Sequence, residues 1–447
     1  MGPNSAGFGL PCVIDQIWGC AVSELNRLTA TEASAKIASG EITSVELVQS
    51  CLERIHQRES DVGAWAHLNE ELTLAAAAVA DSTSRKSALH GIPFGVKDVI
   101  DTADLPTECG TPIHAGRQPE KDAACVAKMK ATGAVLMGKC VSTEYALYTP
   151  NQTRNPLNLE HTPGGSSSGS GAAVGDYMVP IAFGNQTAGS LIRPASFCGI
   201  CAFKPTHGIT DLTGILPLEP TFDTLGYMGR SFDDLASFFA VVHDKEPGPL
   251  NDGLDRRPRI GLCRTPQWSH AEQASIDAVE GAADRLAELG VEVDEVALPA
   301  GFGDLVETHT KILNIGLSRT LIEDYRNHKD RMGDILCGLI EDGLACPPEK
   351  AAALFAHAAD CRGKVNDAFD NWDVLLCPSV VGEAPAGIAA TGSPIFQIIW
   401  TLLNVPIATI PGAVGPNDLP VGVQFVGRRG DDETVLRLAK WFHSRRN

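Results

Sequence analysis

Apolar positions recur along this chain in two periods, and the way those periods alternate predicts layers of helix and sheet. In TSVELVQSCLERIHQRE, Val45, Val48, Leu52 and Ile55 return at helical spacing. Thr43 and Glu46 have the spacing of a capping box at the start of that helix. The stretch from residue 22 to Thr43 reads as another helix, and the Ala-rich LTLAAAAVADS as a third. ALHGIPFGVKDVID reads as a short buried run followed by a turn that carries Lys97 and Asp98. DAACVAKMKATGAVLMGKC predicts a helix and then a buried strand. Strand-like and helix-like runs alternate to about residue 245 and again over 257–300, through RIGLCR, SIDAVEGAADRLAELG and VEVDEVALP. A long helical stretch at 303–370 precedes the strand WDVLLCPS and a closing strand, LPVGVQFVG, with a last helix. This alternation predicts an α/β fold, a sheet covered by helices on both faces.

Composition narrows the function classes. The 447 residues allow two or three domains, although α/β chains of this size are often one unit, and 44% hydrophobic residues suffice for a sizeable core. Only DKEPGPLNDGLDRRP, 244–258, is composed like a boundary, and it reads as an inserted segment. A formal charge of −19 argues against nucleic acid or an anionic membrane as the main partner. No apolar stretch reaches the roughly 18 residues of a membrane span. Asp15 and the lack of a basic region argue against a signal peptide at the N-terminus. Thirteen scattered cysteines fit reduced thiols, so a cytoplasmic location is expected. Cys198 and Cys201 form the sole C-x-x-C, and without a second pair they read as small buried residues rather than zinc ligands.

The run PGGSSSGSGAAVG, 163–175, has the composition of a flexible linker. Yet YMVPIAFGNQTAGSLIRPA follows it directly, with no charged spacer. Linker, phosphate-cradling loop and packed loop aiming serine hydroxyls all stay open at this point. GAVLMGKC, 133–140, matches most of a P-loop, but its apolar middle suits a buried strand and Cys140 replaces the magnesium-binding Ser or Thr. GSSSG fits a nucleophile elbow around Ser167, but HTPGG before it is a poor strand and nothing selects a partner among the 12 histidines. His207 in KPTHG reads as a turn residue.

Without histidine, the side chain left to take a hydroxyl proton near neutral pH is a neutral lysine. An ordinary lysine, with a pKa of about 10.4, is neutral in roughly one molecule in a few thousand at pH 7, so the site has to bury it. Lys97, after the apolar GIPFGV, is either that lysine or a surface lysine just past a strand end. NQTAGSLIRPA supplies Ser190 behind Thr187, Ala188 and Gly189, small residues that let main-chain N–H groups converge as an oxyanion hole requires. A helix starting near Ser190 would add its dipole.

These residues resemble the amidase signature enzymes. The resemblance runs from LTATEASAKIASGEITSVELV to LPVGVQFVG and is densest over 91–215. GIPFGVKD, GAVLMGKC, TRNPLN, PGGSSSGSGAAV, GNQTAGSLIRPASFCGICAFKPTHG and DVLLCPS carry it, in the family's order. It implies a single α/β amidase domain over 1–447, with a central mixed, twisted β-sheet covered by α-helices on both faces. N-terminal helices would occupy about 22–80, the signature core about 85–245 and a C-terminal α/β portion about 257–447. The resemblance implies a Ser–cis-Ser–Lys triad: Ser190 as nucleophile, Ser166 as relay after a cis peptide, and Lys97 as base. It implies an oxyanion hole from the N–H groups of Thr187, Ala188, Gly189 and Ser190, and no metal or organic cofactor. Ser167, Ser168 and Ser170 would lock the loop through hydrogen bonds. Where the family often has G-T-D-x-G-G-S this chain has GNQTAGS, a departure that reads as altered substrate fit.

DTADLPTECGTPI, NQTAGSLIRPASFCG and WTLLNVPIATIP look most like the malonamidase-like small-molecule amidases. That likeness implies hydrolysis of small-molecule amides, with aryl esters and carbamates open to the same chemistry. Arg193 either faces a substrate carboxylate, as that branch implies, or braces the helix start before Pro194. Segments 144–152, 205–225 and 380–402 are expected to form part of the pocket, and they are more apolar than charged. A monomer or homodimer is expected, with no nucleic acid or membrane partner. Two other readings remain: a glutaminase subunit of a tRNA-dependent amidotransferase complex, and a non-catalytic binding protein on this fold.

Overall fold

The protein is described by a computed structural model, which covers residues 24–245 and 256–446. The N-terminal stretch argued not to be a signal peptide, residues 22–23 and most of the boundary-like 244–258 lie outside the described residues. Helices α1 (Ala30–Ser39) and α2 (Ser44–Val62) each open on a capping box, Thr29 with Glu32 and Thr43 with Glu46. Each closes on a left-handed glycine, Gly40 at φ 74° and Gly63 at φ 62°, a conformation that costs glycine nothing. Strand β1 (Trp65–Leu68) and helix α3 (Glu70–Ser82) follow. Then come β2 (Pro93–Lys97), α4 (Ala124–Ala131), β3 (Val135–Cys140), α5 (Ser168–Gly175), β4 (Ile181–Gln186), α6 (Ile192–Phe197), β5 (Cys201–Lys204), β6 (Thr224–Gly229) and α7 (Phe232–Val242).

The second half supplies β7 (Arg259–Leu262), α8 (Gln273–Glu288) and β8 (Glu292–Glu295). The long helical stretch is broken into α9 (Leu305–Thr320), α10 (Ile322–His328), α11 (Asp334–Leu344) and α12 (Pro348–Lys364). Gly333 and the pair Pro347–Pro348 mark two of those breaks. Strand β9 (Val374–Pro378), α13 (Ile395–Leu402), β10 (Ile407–Val414), β11 (Pro420–Gly427) and α14 (Asp432–His443) complete the chain.

Among the described residues all strands join one 11-stranded sheet in the order β1-β3-β2-β4-β6-β5-β10-β11-β9-β7-β8. The sheet is mixed: β2 runs parallel to β3 and β4, and β7 to β8 and β9, while the strands between pair antiparallel. Helices flank it, as the alternation predicts. No single run in the periodicity marks out strands β1, β6 or β10, although β6 falls within the alternation that extends to about residue 245. TLGYMG carries two glycines and β10 holds Pro411, so neither shows a run of β-formers, and pairing in the sheet decides them.

The Gly/Ser run is packed, not free. Every residue from Pro163 to Val174 is buried, and α5 grows out of the run. GAVLMGKC forms the buried strand β3, in which Lys139 Nζ donates to Ile100 O at 2.6 Å and to Thr107 Oγ1 at 2.5 Å. Cys198 and Cys201 are buried free thiols. Among the described residues, no helix is long and apolar enough to cross a membrane.

Packing around the run is backbone against backbone. A Cβ on Gly169 would stand 2.2 Å from Ala64 O and 2.3 Å from Val141 N, atoms of two main chains that cannot swing aside. Gly169→Ala should therefore destabilise the fold by about 1–3 kcal/mol. Urea unfolding measures this, and an unchanged midpoint would contradict the packing.

Candidate active site

Three parallel strands deliver the candidate residues to one end of the sheet. Lys97 is the last residue of β2, and the chain leaves the same end of β4 through Thr187–Ser190. The turn after β3 receives the serine run: Gly169 N donates to Val141 O at 2.9 Å and Thr143 N to Ser166 O at 3.3 Å. The crevice beyond the carboxyl ends of parallel strands is where α/β folds place their ligands.

Lys97 and Ser166 meet there, both fully buried. Lys97 Nζ lies 2.6 Å from Ser166 Oγ and donates to Asn185 Oδ1 at 2.5 Å. The Gly165–Ser166 peptide is cis. A Cβ on Gly165 would come 2.7 Å from Thr391 Cγ2, so glycine is what fits. Burial drives the Lys97 pKa well below the ordinary value, the nearby Arg193 lowers it further, and Asp223 and Cys109 oppose the shift.

Ser190 is joined to the run through the main chain, with Ser167 N donating to its carbonyl at 3.2 Å. Its Oγ makes no hydrogen bond among the described residues. Ser170 Oγ donates to Phe183 O at 2.9 Å, Ser168 Oγ to Val141 O at 3.3 Å and Ser167 Oγ to Asn185 O at 3.4 Å, which tie the loop to β4 and to the turn after β3. The main-chain N–H groups of Thr187, Ala188, Gly189 and Ser190 donate to nothing among the described residues. Gln186 fixes the turn beyond them: its Oε1 accepts from Leu191 N at 3.0 Å and Ile192 N at 3.1 Å. Two residues of GNQTAGS make contacts of their own within the protein. Asn185 holds the lysine and Gln186 holds the turn.

Arg193, in the first turn of α6, is only 3% exposed. Its Nη2 donates to Gly165 O at 2.6 Å and to Thr391 Oγ1 at 3.2 Å, while Nε and Nη1 have no partner among the described residues. Among the described residues it forms no ion pair, and burial lowers its pKa to about 10. His207 lies away from these groups, its Nε2 2.9 Å from Pro220 O.

Several residues here carry no local signal. His309 Nε2 is 2.7 Å from Thr187 O, Thr401 Oγ1 donates to Ala188 O at 2.7 Å, and Thr187 Oγ1 donates to Asp223 Oδ1 at 2.7 Å. Segments 205–225 and 380–402 reach the site through Asp223, Thr391 and Thr401, and 144–152 through the Tyr148 that interacts with Arg193. Nothing in the spacing of those residues marks them, because each meets its partner only after the sheet closes.

Comparison with known proteins bears on the same region. The family model described as Amidase matches residues 46–436. A glutamyl-tRNA(Gln) amidotransferase subunit of Chloroflexus aggregans is 33% identical over 470 residues, covering 93% of this chain and 96% of that protein. A crystal structure of an amidase superposes with a TM-score of 0.86 at 27% identity, covering 94% of this chain and all of that one (100%). The peptide amidase of Stenotrophomonas maltophilia gives a TM-score of 0.80 at 26% identity, covering 94% and 97% of the two chains.

Asp223 yields a pH prediction. Burial pushes its carboxyl up to about 7, against hydrogen bonds from Thr187, Leu218 and Glu219 that favour the anion. The folded chain thus holds a proton that a free carboxyl releases near 3.8, so this group's stabilisation is full below 3.8 and is lost as pH rises through about 7. Asparagine keeps an acceptor for the two N–H groups and presents an amide to Thr187. Urea unfolding at a series of pH values should show Asp223→Asn gaining on wild type as pH rises through that window. A pH-independent difference would contradict it.

Proposed function

The chain belongs to the amidase family, the amidase signature enzymes, and from that premise we propose that it hydrolyses the C–N bond of small-molecule amides through an acyl-enzyme at Ser190. Ser166 is the relay and Lys97 the base. The observation that carries this reading is the fully buried Lys97 amine, 2.6 Å from Ser166 Oγ, with an amide oxygen and not a carboxylate as its other partner. A neutral amine has two N–H donors and one lone pair. Asn185 Oδ1 accepts one donor, which leaves the lone pair for the Ser166 hydroxyl proton.

In the first step the Ser190 proton passes to Ser166 Oγ as the Ser166 proton passes to Lys97 Nζ, and Ser190 Oγ bonds to the substrate carbonyl carbon. The carbonyl oxygen becomes an oxyanion, for which the unengaged N–H groups of Thr187, Ala188, Gly189 and Ser190 are the donors. The C–N bond breaks as the amine takes a proton back along the relay. Water then attacks the acyl-enzyme by the same path and restores Ser190. Carbamates and aryl esters present the same carbonyl, so both fall within reach of this chemistry. A buried guanidinium with two unused nitrogens, Nε and Nη1, and no ion pair among the described residues favours a substrate bearing a carboxylate at Arg193.

One observation favours a second reading. The chain is 33% identical, across nearly its whole length, to a component of a glutamyl-tRNA(Gln) amidotransferase, and glutamine also carries a carboxylate that Arg193 would pair. In that reading the same serine chemistry releases ammonia inside a complex with partner proteins.

Initial rates on a small anilide and the matching aryl carbamate test the mechanism. Ser190→Ala should lose at least about 10⁴-fold in kcat. Lys97→Ala should lose several orders of magnitude, with Ser166→Ala between the two. Because the base acts neutral, kcat/KM should rise with pH through the lowered lysine value, placing the acid limb well below the 10.5 of a free lysine. Arg193→Met should raise KM for a carboxylate-bearing amide more than for the uncharged anilide. Equal rates for wild type and Ser190→Ala would sink the mechanism, and turnover of glutamine seen only once partner proteins are added would favour the second reading.

A further inference from the structure

Peptide geometry links three carbonyls to the three N–H groups that follow them. In a trans peptide the C=O and the next residue's N–H point in opposite directions. Among the described residues Gly165–Ser166 is the one cis bond, so every peptide from Thr187 to Ser190 is trans. Thr187 O is held by His309 Nε2 at 2.7 Å, Ala188 O by Thr401 Oγ1 at 2.7 Å and Gly189 O by Arg193 N at 3.1 Å. Each held carbonyl turns the next N–H, of Ala188, Gly189 and Ser190 in turn, to the opposite side of its peptide. Among the described residues those three N–H groups have no acceptor, and neither has that of Thr187.

His309 differs from the other two anchors. Arg193 N lies four residues along the same turn, and Thr401 Oγ1 also bonds its own helix at Gln397 O. His309 reaches Thr187 from α9, 122 positions away, and is 1% exposed. A carbonyl only accepts, so Nε2 carries the ring proton and Nδ1, which has no partner among the described residues, does not. The ring stacks on Phe222 at 4.5 Å between centroids, and the next residue, Asp223, accepts the Thr187 hydroxyl. Asp223 is itself fixed, its Oδ2 accepting from Leu218 N at 2.7 Å and Glu219 N at 2.9 Å. Thr187 is thus held at both its hydroxyl and its carbonyl. Burial lowers the His309 pKa to about 4, so the ring serves as a neutral donor near pH 7.

We propose that His309 is a positioning residue of the oxyanion hole: by donating Nε2–H to the Thr187 carbonyl it holds the Ala188 N–H toward the reacting carbonyl oxygen. This rests on the reading of Ser190 as nucleophile. An N–H group aimed in advance acts where charge develops, so its loss falls on the transition state rather than on substrate binding.

The test compares wild type, His309→Leu and His309→Gln for kcat and KM on the anilide. It adds the affinity of a boronic acid that forms a tetrahedral adduct and the labelling of Ser190 by a fluorophosphonate. His309→Leu should lose about 10- to 100-fold in kcat, with KM within about twofold and boronate affinity falling in parallel. His309→Gln, whose amide still offers an N–H, should recover most of the lost kcat and boronate affinity. A merely structural residue would not separate kcat from KM in this way, nor be rescued by a donor. If His309→Leu does not fold, His309→Asn, too short to reach Thr187, carries the same expectation. Wild-type kcat in the leucine variant, a loss confined to KM, or no recovery in glutamine would overturn the role of His309 while Ser190 still labels. Failure of the wild type to label at Ser190 would overturn the nucleophile assignment and this proposal with it.

Discussion

Lys97 sits in the dry interior with its amine against a serine hydroxyl and an asparagine oxygen, and that arrangement sets the terms for everything around it. A charged amine moved out of water needs a carboxylate or gives up its proton. The neighbouring strand shows the other outcome. Lys139, paired in register with Val96 on β2, is as buried, but Asp98 stands 3.5 Å away and opposes the fall of its pKa. Asp98 follows Lys97 directly in sequence, yet the fold gives its carboxylate to Lys139. What remains near Lys97 is Arg193, which lowers its pKa further, and an Asp223 whose own charge is suppressed by burial. The environment therefore favours an uncharged amine, the form a proton acceptor needs.

Enclosing that amine requires the main chain to approach its neighbours more closely than a Cβ permits. Gly164 and Gly165 leave no room for a Cβ beside Pro194 and Thr391, and Gly189 none beside Gln397 and Pro394. The run that resembles a linker in composition is small for the opposite of a linker's reason. Its residues are small because they are enclosed, and its serines satisfy buried backbone carbonyls of β4 and of Val141, just after β3.

Much of this was legible because it is local. The capping box at Thr43, the short buried run before Lys97 and the buried strand ending in Cys140 each follow from a few adjacent residues, whereas the sequence reading puts Lys97 itself in a turn and no helix in the serine run. The family resemblance names Lys97, Ser166 and Ser190, and the parallel order of β3, β2 and β4 explains how residues so far apart share one end of a sheet. Strands β6 and β10 were not legible, since glycine and proline blur their pattern and only pairing defines them. Asn185 was visible as a departure from the family pattern, but its contact with the lysine was not.

By itself, then, the sequence determined the layered α/β class, the helix boundaries that caps and glycines write locally, the family, and the small-residue stretches where backbone has to pass close to backbone. Tertiary structure alone decided which carboxylate serves which lysine, that Arg193 is buried without an ion pair, and that His309, Asp223 and Thr401 hold Thr187 and Ala188. The physical reason is range. Turn, cap and periodicity preferences act over a few residues and leave their mark in adjacent letters. A pKa set by burial, or a carbonyl pinned from 122 positions away, exists only once distant segments exclude water together.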